Sequence, residues 1–428
     1  MEDVQAAAPG PTGAPAPTAI GRRSSLRITA ASLLGALSGY VVLAVVARSV
    51  SLEENAVFVT FWSALFTMYG VLTGMGTETA RSVAQAGLHP GVAGRSSVAA
   101  AVRVGAGVVG LGGLLLAATG LHVFDAEHQV LAFVVALSAA AYAVEAVLLG
   151  ALSGRGRWDA YAGMLGLEAI ARVVLVGAVA WVAATVTNVA VASGAAAAMW
   201  LVMVAVSRDV REVFRAELDA PLRAYLGRVS FAATASGASA VLLVGFPVLV
   251  KMTTDKAIFD LAAPLMLAIS LTRAPIMVPL TSFQSVIVAQ FVKNRSGAGR
   301  TLTRAVAALA ALGVVGGAAA YLVGPWLMAF LFGPDYRVEG WVLAGMTVAS
   351  VGTAILTITA ALTQALRRQV AFVAGWLVAL VVSVGLLLTG LPIDQRVVGA
   401  LLIAPYAGVV VHAVAIVREL RRPVAAAA

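Results

Sequence analysis

Apolar residues along this chain form long runs, and charged residues interrupt the runs at nearly regular intervals. Twelve of these runs are close to the ~20 residues that a helix needs to cross the hydrocarbon core of a bilayer. Lipid offers no partners to backbone N–H and C=O groups, so helix is the only structure expected in such runs. The pattern predicts an all-α polytopic membrane protein with spans at 28–47, 56–75, 98–119, 129–152, 160–182, 187–206, 229–250, 258–281, 304–326, 341–365, 369–389 and 396–417.

Composition and charge support this class. Only 11% of the residues are charged and the mean hydropathy is +0.96, whereas soluble domains carry about twice that share of charge. Most Lys and Arg residues lie in every second loop, which the positive-inside rule places in the cytoplasm together with both termini. We therefore predict a multi-pass protein of the cytoplasmic membrane. Its net charge of +9 reflects topology and contact with anionic lipid headgroups rather than nucleic-acid binding.

Several kinds of site are excluded or disfavoured. The chain has no Cys, which excludes disulfides, thiol catalysis and thiolate metal ligands. Its four His residues are isolated, and none of them has a second His at ligand spacing. There is also no Gly-rich nucleotide loop, so ATP hydrolysis is not expected. We predict no cofactor and no metal site, and we leave coupling to H⁺, Na⁺ or the membrane potential open.

A weak internal repeat divides the chain into halves. Arg27 opens the first span and Arg228 opens the seventh, and at the same offset 54–58 aligns with 255–259. Six helices per half imply two parallel six-helix lobes, a layout that suits alternating access. The predicted segments are a disordered cytoplasmic tail (1–27), an N-lobe (28–206), a cytoplasmic amphipathic linker (207–228), a C-lobe (229–417) and a second cytoplasmic tail (418–428).

Four charged residues lie well inside predicted spans and are the candidate substrate-binding residues: Glu145, Glu168, Arg172 and Arg273. Glu168 and Arg172 share one helix face, because they are four residues apart. They form either a self-neutralising structural pair or part of a cavity wall in which Arg172 meets an anionic substrate. Glu145 either faces Arg172 or binds a coupling proton.

Arg273 precedes Pro275 and Pro279, which remove backbone donors and are expected to kink the eighth span. The guanidinium fork suits phosphate, so Arg273 and Arg172 form a candidate diphosphate clamp with one arginine from each lobe. The alternative for Arg273 is a structural role, binding a backbone carbonyl. Further arginines at the cytoplasmic ends of the spans are predicted to line the cavity mouth: Arg27, Arg81, Arg103 and Arg228.

Three stretches carry a family resemblance: Ala47–Phe58 leading to Gly74–Arg81, Gly150–Trp158 followed by Leu167–Arg172, and Arg273–Pro275. With the six-plus-six layout, they resemble the multidrug/oligosaccharidyl-lipid/polysaccharide (MOP) exporter superfamily, particularly its polysaccharide and O-antigen flippase branch. The resemblance implies a two-lobed carrier of polyprenyl-linked sugars. Lipid II is not the expected cargo, because the first two spans lack the internal arginines of lipid II flippases.

The expected function is therefore a flippase that moves a polyprenyl-phosphate-linked saccharide across the cytoplasmic membrane for cell-envelope polysaccharide assembly. Its expected partners are this substrate, membrane lipids and, through the pathway, glycosyltransferases; we predict a monomer. One alternative is a multidrug cation antiporter of the same fold. The other is a membrane glycosyltransferase with Glu53 and Glu54 as its acidic pair. We disfavour an enzyme, because the loop that carries these residues is too short to form a substrate platform.

Overall fold

A computed structural model describes residues 22–89, 92, 94–118, 123–293 and 298–420. Within these ranges, side chains are described except at Arg22, 278, 279, 281–293, 298–302 and Leu420. All regular structure in this part of the chain is helical, apart from one isolated β-bridge between Ser97 and Glu217. The predicted all-α fold class is confirmed.

The helices alternate with short connections. They are α1 Arg22–Ser49, α2 Leu52–Leu88, α3 Val98–Ala118, α4 Val130–Gly154, α5 Trp158–Val182, α6 Val186–Ala195, α7 Trp200–Val206, α8 Arg208–Val213, α9 Leu222–Leu243, α10 Phe246–Met252, α11 Lys256–Phe259, α12 Ala263–Lys293, α13 Ala298–Phe332, α14 Gly340–Ala365, α15 Gln369–Leu387 and α16 Ile393–Leu420.

Within the described residues, eleven helical segments are long and apolar enough to cross a membrane, with α6 and α7 forming one of them. The segment Ala263–Met277 of α12 adds apolar helix at the position of the eighth predicted span. The protein is therefore a multi-pass membrane protein with about twelve spans.

Local sequence explains several helix ends. The Ser51 hydroxyl accepts a hydrogen bond from the Glu54 N–H, and the Glu54 carboxylate accepts one from the Ser51 N–H, which forms a capping box at the start of α2. Between α4 and α5 the chain turns at Gly156, whose φ of 68° is unfavourable for other residues.

Several boundaries differ from those predicted. Helix α1 begins at Arg22, so the tail predicted for 1–27 is helical from there on, while 1–21 lie outside the described residues. Helix α9 begins at Leu222, inside the predicted linker 207–228, and α16 continues into the predicted tail 418–428 as far as Leu420. These ends were missed because polar side chains continue a helix beyond the bilayer, where hydropathy no longer marks it.

We call the side of the bundle on which α1 begins the near side, and the side on which it ends the far side. On the far side, contacts join the first six spans to the later ones. Arg48 donates hydrogen bonds to the carbonyls of Leu331, at 2.9 Å, and Phe330. The buried Asn55 amide donates to the Tyr336 hydroxyl at 2.8 Å. We call these five residues the far-side contact group.

Ion pairs also join the first six spans to the later ones on the far side. Lys251, at the end of α10, lies 3.4 Å from Asp125 in the connection between α3 and α4. Lys256 lies 3.4 Å from Glu53 at the start of α2. The two halves are thus joined at the far side by neutral and ionic contacts.

On the near side, the connection between α8 and α9 packs onto the first half. Its backbone pairs with the start of α3 and with the connection before it. The Leu218 N–H donates to the Ser96 carbonyl at 2.8 Å, and the N–H of Val98, the first residue of α3, donates to the Ala216 carbonyl at 2.9 Å. Ala216 and Leu218 are fully buried. This connection is therefore part of the first half's packing.

Candidate functional site within the helical bundle

Five residues of the first six spans meet in a group that we call the buried polar cluster: Tyr69 from α2, Tyr142 and Glu145 from α4, and Glu168 and Arg172 from α5. The rings of Tyr69 and Tyr142 stack at a centroid distance of 4.0 Å and an interplanar angle of 8°. Helix α2 packs against α4, which brings these two aromatic rings together. The cluster therefore lies inside the first half of the bundle.

Arg172 is 4% exposed and forms an ion pair with Glu168, one helical turn earlier. Its guanidinium carbon also lies 5.1 Å from the centre of the Phe66 ring, a cation–π distance. The ion pair predicted from the four-residue spacing is thus present, and both Glu168 and Arg172 are buried away from solvent. In this state Arg172 already has an anionic partner.

Glu145 is fully buried, and neither of its carboxylate oxygens has a hydrogen-bond partner among the described residues. It is close enough to interact electrostatically with Glu168 and Arg172. The cluster therefore holds two carboxyl groups and a single guanidinium. Burying an unpaired carboxylate costs several kcal/mol, so the cluster is stable when it also holds one proton or one monovalent cation.

Two other members of the cluster carry buried polar atoms without partners in the described part of the chain: the Tyr69 hydroxyl and Arg172 Nε. Most buried polar groups in proteins are hydrogen-bonded, and the exceptions concentrate where a structure binds or moves something. The two carboxyl groups are the members of the cluster that can take up a proton, because the guanidinium and the phenols already carry theirs.

Arg273 lies elsewhere, at the junction of α9, α10 and α12. It is half-buried, and its Nη1 donates a hydrogen bond to the carbonyl of Leu243, the last residue of α9. Its guanidinium carbon lies 6.0 Å from the ring centre of Phe246, the first residue of α10. One turn before Arg273, the Ser270 carbonyl accepts a hydrogen bond from Tyr40 of α1 at 3.2 Å. Arg273 therefore lies where the two halves meet.

Two of the predicted mouth arginines, Arg81 and Arg228, belong to what we call the near-side ion ring, together with Glu78 and Asp219. Glu78 lies 2.6 Å from Arg81 and 2.5 Å from Arg228. Asp219 lies 2.5 Å from Arg228 and 3.4 Å from Arg81, and it accepts a hydrogen bond from Ser82 at 2.6 Å. Each arginine thus lies between two carboxylates.

The pKa of Asp219, which lies in the connection before α9, is shifted by its surroundings. Partial burial raises its pKa, but the hydrogen bond from Ser82 and the charges of Arg228 and Arg81 together outweigh burial, so the pKa lies below its ordinary value. The ring is therefore ionised throughout the neutral pH range.

The other two mouth arginines are exposed. Arg27 pairs with Asp159 at the start of α5 at 2.8 Å, and both side chains are about three-fifths exposed, at 60% and 61%. Arg103 donates to the Ala99 carbonyl of its own helix at 3.3 Å. These two remain accessible to a ligand at the near side.

No family model matches the chain. Two mycobacterial proteins match it along nearly its whole length. The uncharacterized protein Rv3630 of Mycobacterium tuberculosis is 34% identical over 406 residues, covering 94% of this chain and 93% of the relative. The uncharacterized protein Rv1510 of the same organism is 34% identical over 424 residues, covering 98% and 96%. The chain belongs to the family of these mycobacterial proteins.

Solved structures show the fold of this family member. An inward-facing multidrug-resistance MATE-family transporter of the MOP superfamily aligns with a TM-score of 0.69 at 15% identity, covering 92% of this chain and 98% of the other. A MOP-superfamily transporter from Pyrococcus furiosus, described as having a binding pocket of reverse polarity, aligns with a TM-score of 0.64 at 16% identity, covering 94% and 96%. The chain therefore has a MATE-like fold.

The four candidate substrate-binding residues thus fall into two places. Glu145, Glu168 and Arg172 come together in the buried polar cluster, whereas Arg273 binds the Leu243 carbonyl at the junction of the halves. The alternative in which Arg273 binds a carbonyl matches this contact, and its binding of substrate stays a prediction.

The structure describes only one of the two side chains that are predicted to kink the eighth span. Pro275 is exposed within α12, whose backbone is helical from Ala263 to Lys293. Pro279 lies in the same helix, but its side chain is outside the described residues. The predicted kink at these prolines stays a prediction.

Sequence reasoning missed Glu78, Asp219 and Tyr69. The three-residue spacing of Glu78 and Arg81 was a usable signal, because such a spacing places the two side chains on one helix face. The acidic pair of the glycosyltransferase alternative has structural partners instead: Glu54 caps α2, and Glu53 lies beside Lys256.

Proposed function

We propose that this transporter is a flippase for a polyprenyl-phosphate-linked saccharide, with its near side in the cytoplasm. The observation that carries the proposal is the position of Arg273, a half-buried cation at the junction of the two halves. A guanidinium has five N–H donors in a planar fork. The Leu243 carbonyl accepts a hydrogen bond from one of these Arg273 donors. Two donors are needed to bind a pair of phosphate oxygens, so enough N–H groups remain for this contact.

The far-side contact group supports transport by alternating access. Its hydrogen bonds join α1 and α2 to the end of α13 and the connection that follows it, which closes the bundle on the far side. A carrier in this state loads from the near side. Release on the far side then requires these contacts to separate.

The buried polar cluster is the proposed coupling site. Its two carboxyl groups and one arginine are neutral when one proton is bound, and Glu145 has no hydrogen-bond partner among the described residues to replace that proton. Of the coupling ions left open by the sequence, the cluster favours H⁺ over Na⁺. A proton on the Glu145 carboxyl group neutralises the cluster by itself, because one carboxylate and one guanidinium then remain.

A leaflet-specific assay tests the flippase. The purified protein is reconstituted in liposomes that contain a fluorescent polyprenyl-diphosphate-linked sugar, and a membrane-impermeant quencher reports the fraction in the outer leaflet. We expect the wild-type protein to accelerate flipping and Arg273→Ala to abolish the acceleration. Wild-type protein that leaves flipping at the rate of empty liposomes contradicts the proposed function.

Arg396 provides the matched control, because it also binds backbone carbonyls. It donates to Thr253 at 3.1 Å and to Leu387 at 3.0 Å. Arg396→Ala removes a carbonyl-binding arginine of the second half away from the α9–α12 junction and should retain flipping. Equal loss in Arg273→Ala and Arg396→Ala, each well folded, would mean that Arg273 acts only through carbonyl binding.

The buried polar cluster also favours a second candidate, a proton-coupled multidrug cation antiporter. Acidic groups in the membrane suit both a proton and a cationic drug. Efflux of a cationic dye from proteoliposomes with an imposed pH gradient separates the candidates. Dye efflux that Glu145→Gln abolishes supports the antiporter, whereas flipping of the lipid-linked sugar without dye efflux supports the flippase.

A further inference from the structure

Helix α9 follows the linker, yet it packs closely against α2 of the first half. At Gly70 an added Cβ would lie 2.6 Å from Ala240 Cβ, and at Gly74 it would lie 2.6 Å from the Ala232 backbone. Such distances leave no room for a methyl group between the helices. Glycines at this spacing allow two helix backbones to approach closely, and the resulting contact area is large.

Polar contacts hold the near end of α9 to the same partner. Arg228 of α9 belongs to the near-side ion ring with Glu78 and Arg81 of α2. The Thr79 hydroxyl donates to the Met75 carbonyl, so the Tyr225 hydroxyl, 2.6 Å away, donates to Thr79. Because this bond is buried, separating α9 from α2 would expose unpaired polar groups to a poor solvent.

Apolar contacts also join the near end of α9 to the first half. Tyr225 and Val229 of α9 belong to one hydrophobic cluster with Leu72, Leu148 and Met164, which come from α2, α4 and α5. The same cluster includes Val213, the last residue of α8, and Leu218 of the connection between α8 and α9. The chain from α8 through the first two turns of α9 is thus built into the core of the first half, whereas Ala235, Ala238 and Leu242 further along α9 pack in a cluster that contains residues of both halves.

The helix ends at a break. Leu243 is the last residue of α9, and α10 begins at Phe246 with Pro247 in its first turn. Gly245 also lies close to α2, since an added Cβ would lie 2.9 Å from the Thr67 hydroxyl oxygen. Helix α9 touches α15 of the second half as well, but the described polar contacts of its near end are with α2 and Asp219.

We propose that α9 moves as part of the first half during transport, and that the flexing point between the two moving bodies is the break at Val244–Gly245. The first body is then 22–243 and the second begins at Phe246. This differs from the boundary at 228–229 that the repeat predicts. The inference rests on the proposed function only in requiring two bodies that move relative to each other.

Spin-label distances test this without any substrate. The chain has no cysteine, so introduced cysteines are labelled selectively. Val108 on α3, Phe231 on α9 and Val370 on α15 are 66%, 55% and 84% exposed, which makes all three suitable sites. Double-cysteine variants, made with V108C, F231C and V370C, are measured in lipid nanodiscs at about pH 5 and about pH 8. The same measurements are repeated with Arg48→Ala and Tyr336→Phe, which weaken the far-side contact group.

We expect the 108–370 and 231–370 distance distributions to shift or split between conditions, while the 108–231 distribution stays single and unchanged. The reverse result, a changing 108–231 distance with a constant 231–370 distance, overturns the proposal but leaves alternating access intact. Three constant distances under all conditions overturn both. Arg223→Cys in place of Phe231→Cys repeats the measurement from a second exposed position on α9.

Discussion

The Arg273 guanidinium donates a hydrogen bond to the Leu243 carbonyl, which Pro247 leaves without a helical donor. In a continuous helix the N–H of residue 247 would bind the carbonyl of residue 243, but proline has no N–H. Arg273 therefore occupies the place of the missing backbone donor. This contact explains how a broken helix and a charged side chain are tolerated together within the membrane.

The first prediction concerns this pair. Arg273→Ala should lower the free energy of unfolding by about 1.5–3 kcal/mol, the range for hydrogen bonds to charged groups. In a Pro247→Ala background the loss should be smaller, because an alanine at this position would supply the backbone donor. Thermal unfolding of the two single variants and the double variant in detergent measures the coupling. Strictly additive losses would contradict the assigned role, and Arg396→Ala should show no coupling to Pro247→Ala.

The second prediction concerns Glu168 and Arg172. Glu168→Gln leaves a buried guanidinium without its anionic partner, so stability should fall by about 3–5 kcal/mol. The double variant Glu168→Gln, Arg172→Met removes both charges and should recover most of that loss. Thermal unfolding compares the three proteins. A double variant no more stable than Glu168→Gln would show that the pair does not account for the loss.

The third prediction concerns the pH dependence of the near-side ion ring. The pKa of Asp219 is lowered in the folded protein, so its ionised form stabilises the fold above the ordinary aspartate pKa of about 3.9, and this stabilisation is lost as the pH falls below that value. Asp219→Asn should therefore be less stable than wild type at neutral pH, and the difference should shrink as the pH falls toward 4 and below.

The effect should be modest, on the order of 1 kcal/mol, because the Asp219 side chain is partly exposed at 19%. Asp209→Asn is the matched control, since Asp209 lies in a more exposed ion pair with Arg157, at 37% and 49%. A stability difference for Asp219→Asn that is independent of pH, or equal to that of Asp209→Asn, would argue against the ring as its source.

The fourth prediction concerns the far-side contact group. Tyr336→Phe removes the hydroxyl that accepts a hydrogen bond from Asn55, which is fully buried. The closed far side should become less populated, because the variant leaves a buried amide unpaired in that state. Labelling of a cysteine introduced at Val57, two residues after Asn55, with a membrane-impermeant reagent should become faster. Tyr321→Phe, at an exposed position, should leave the labelling rate unchanged.

The membrane spans were largely predictable from the sequence, because bilayer thickness sets the length of each apolar run. The ends of the helices were less predictable. Helix α2 extends to Leu88, well beyond the predicted end at residue 75, since Glu78 and Arg81 stabilise each other on its polar extension. Hydropathy reports the lipid-facing part of a helix and not its full length.

The site was predictable only where partners are close in sequence. The pairing of Glu168 with Arg172 follows from helix geometry, and the structure shows it. The contact of Arg273 with Leu243 joins two helices, and that of Ser82 with Asp219 joins residues 137 apart. Such contacts depend on how each helix is rotated and where it breaks, and the pattern of apolar residues contains little information about either.

The close packing of α9 on α2 has a consequence for how the protein is made. Spans are inserted in chain order, so the glycine-lined surface of α2 at Gly70 and Gly74 is complete long before Ala232 and Ala240 emerge from the ribosome. Until then this surface lacks its partner helix, and the Thr79 hydroxyl lacks Tyr225. The packing surface of α2 is therefore covered only after the seventh span has been synthesised.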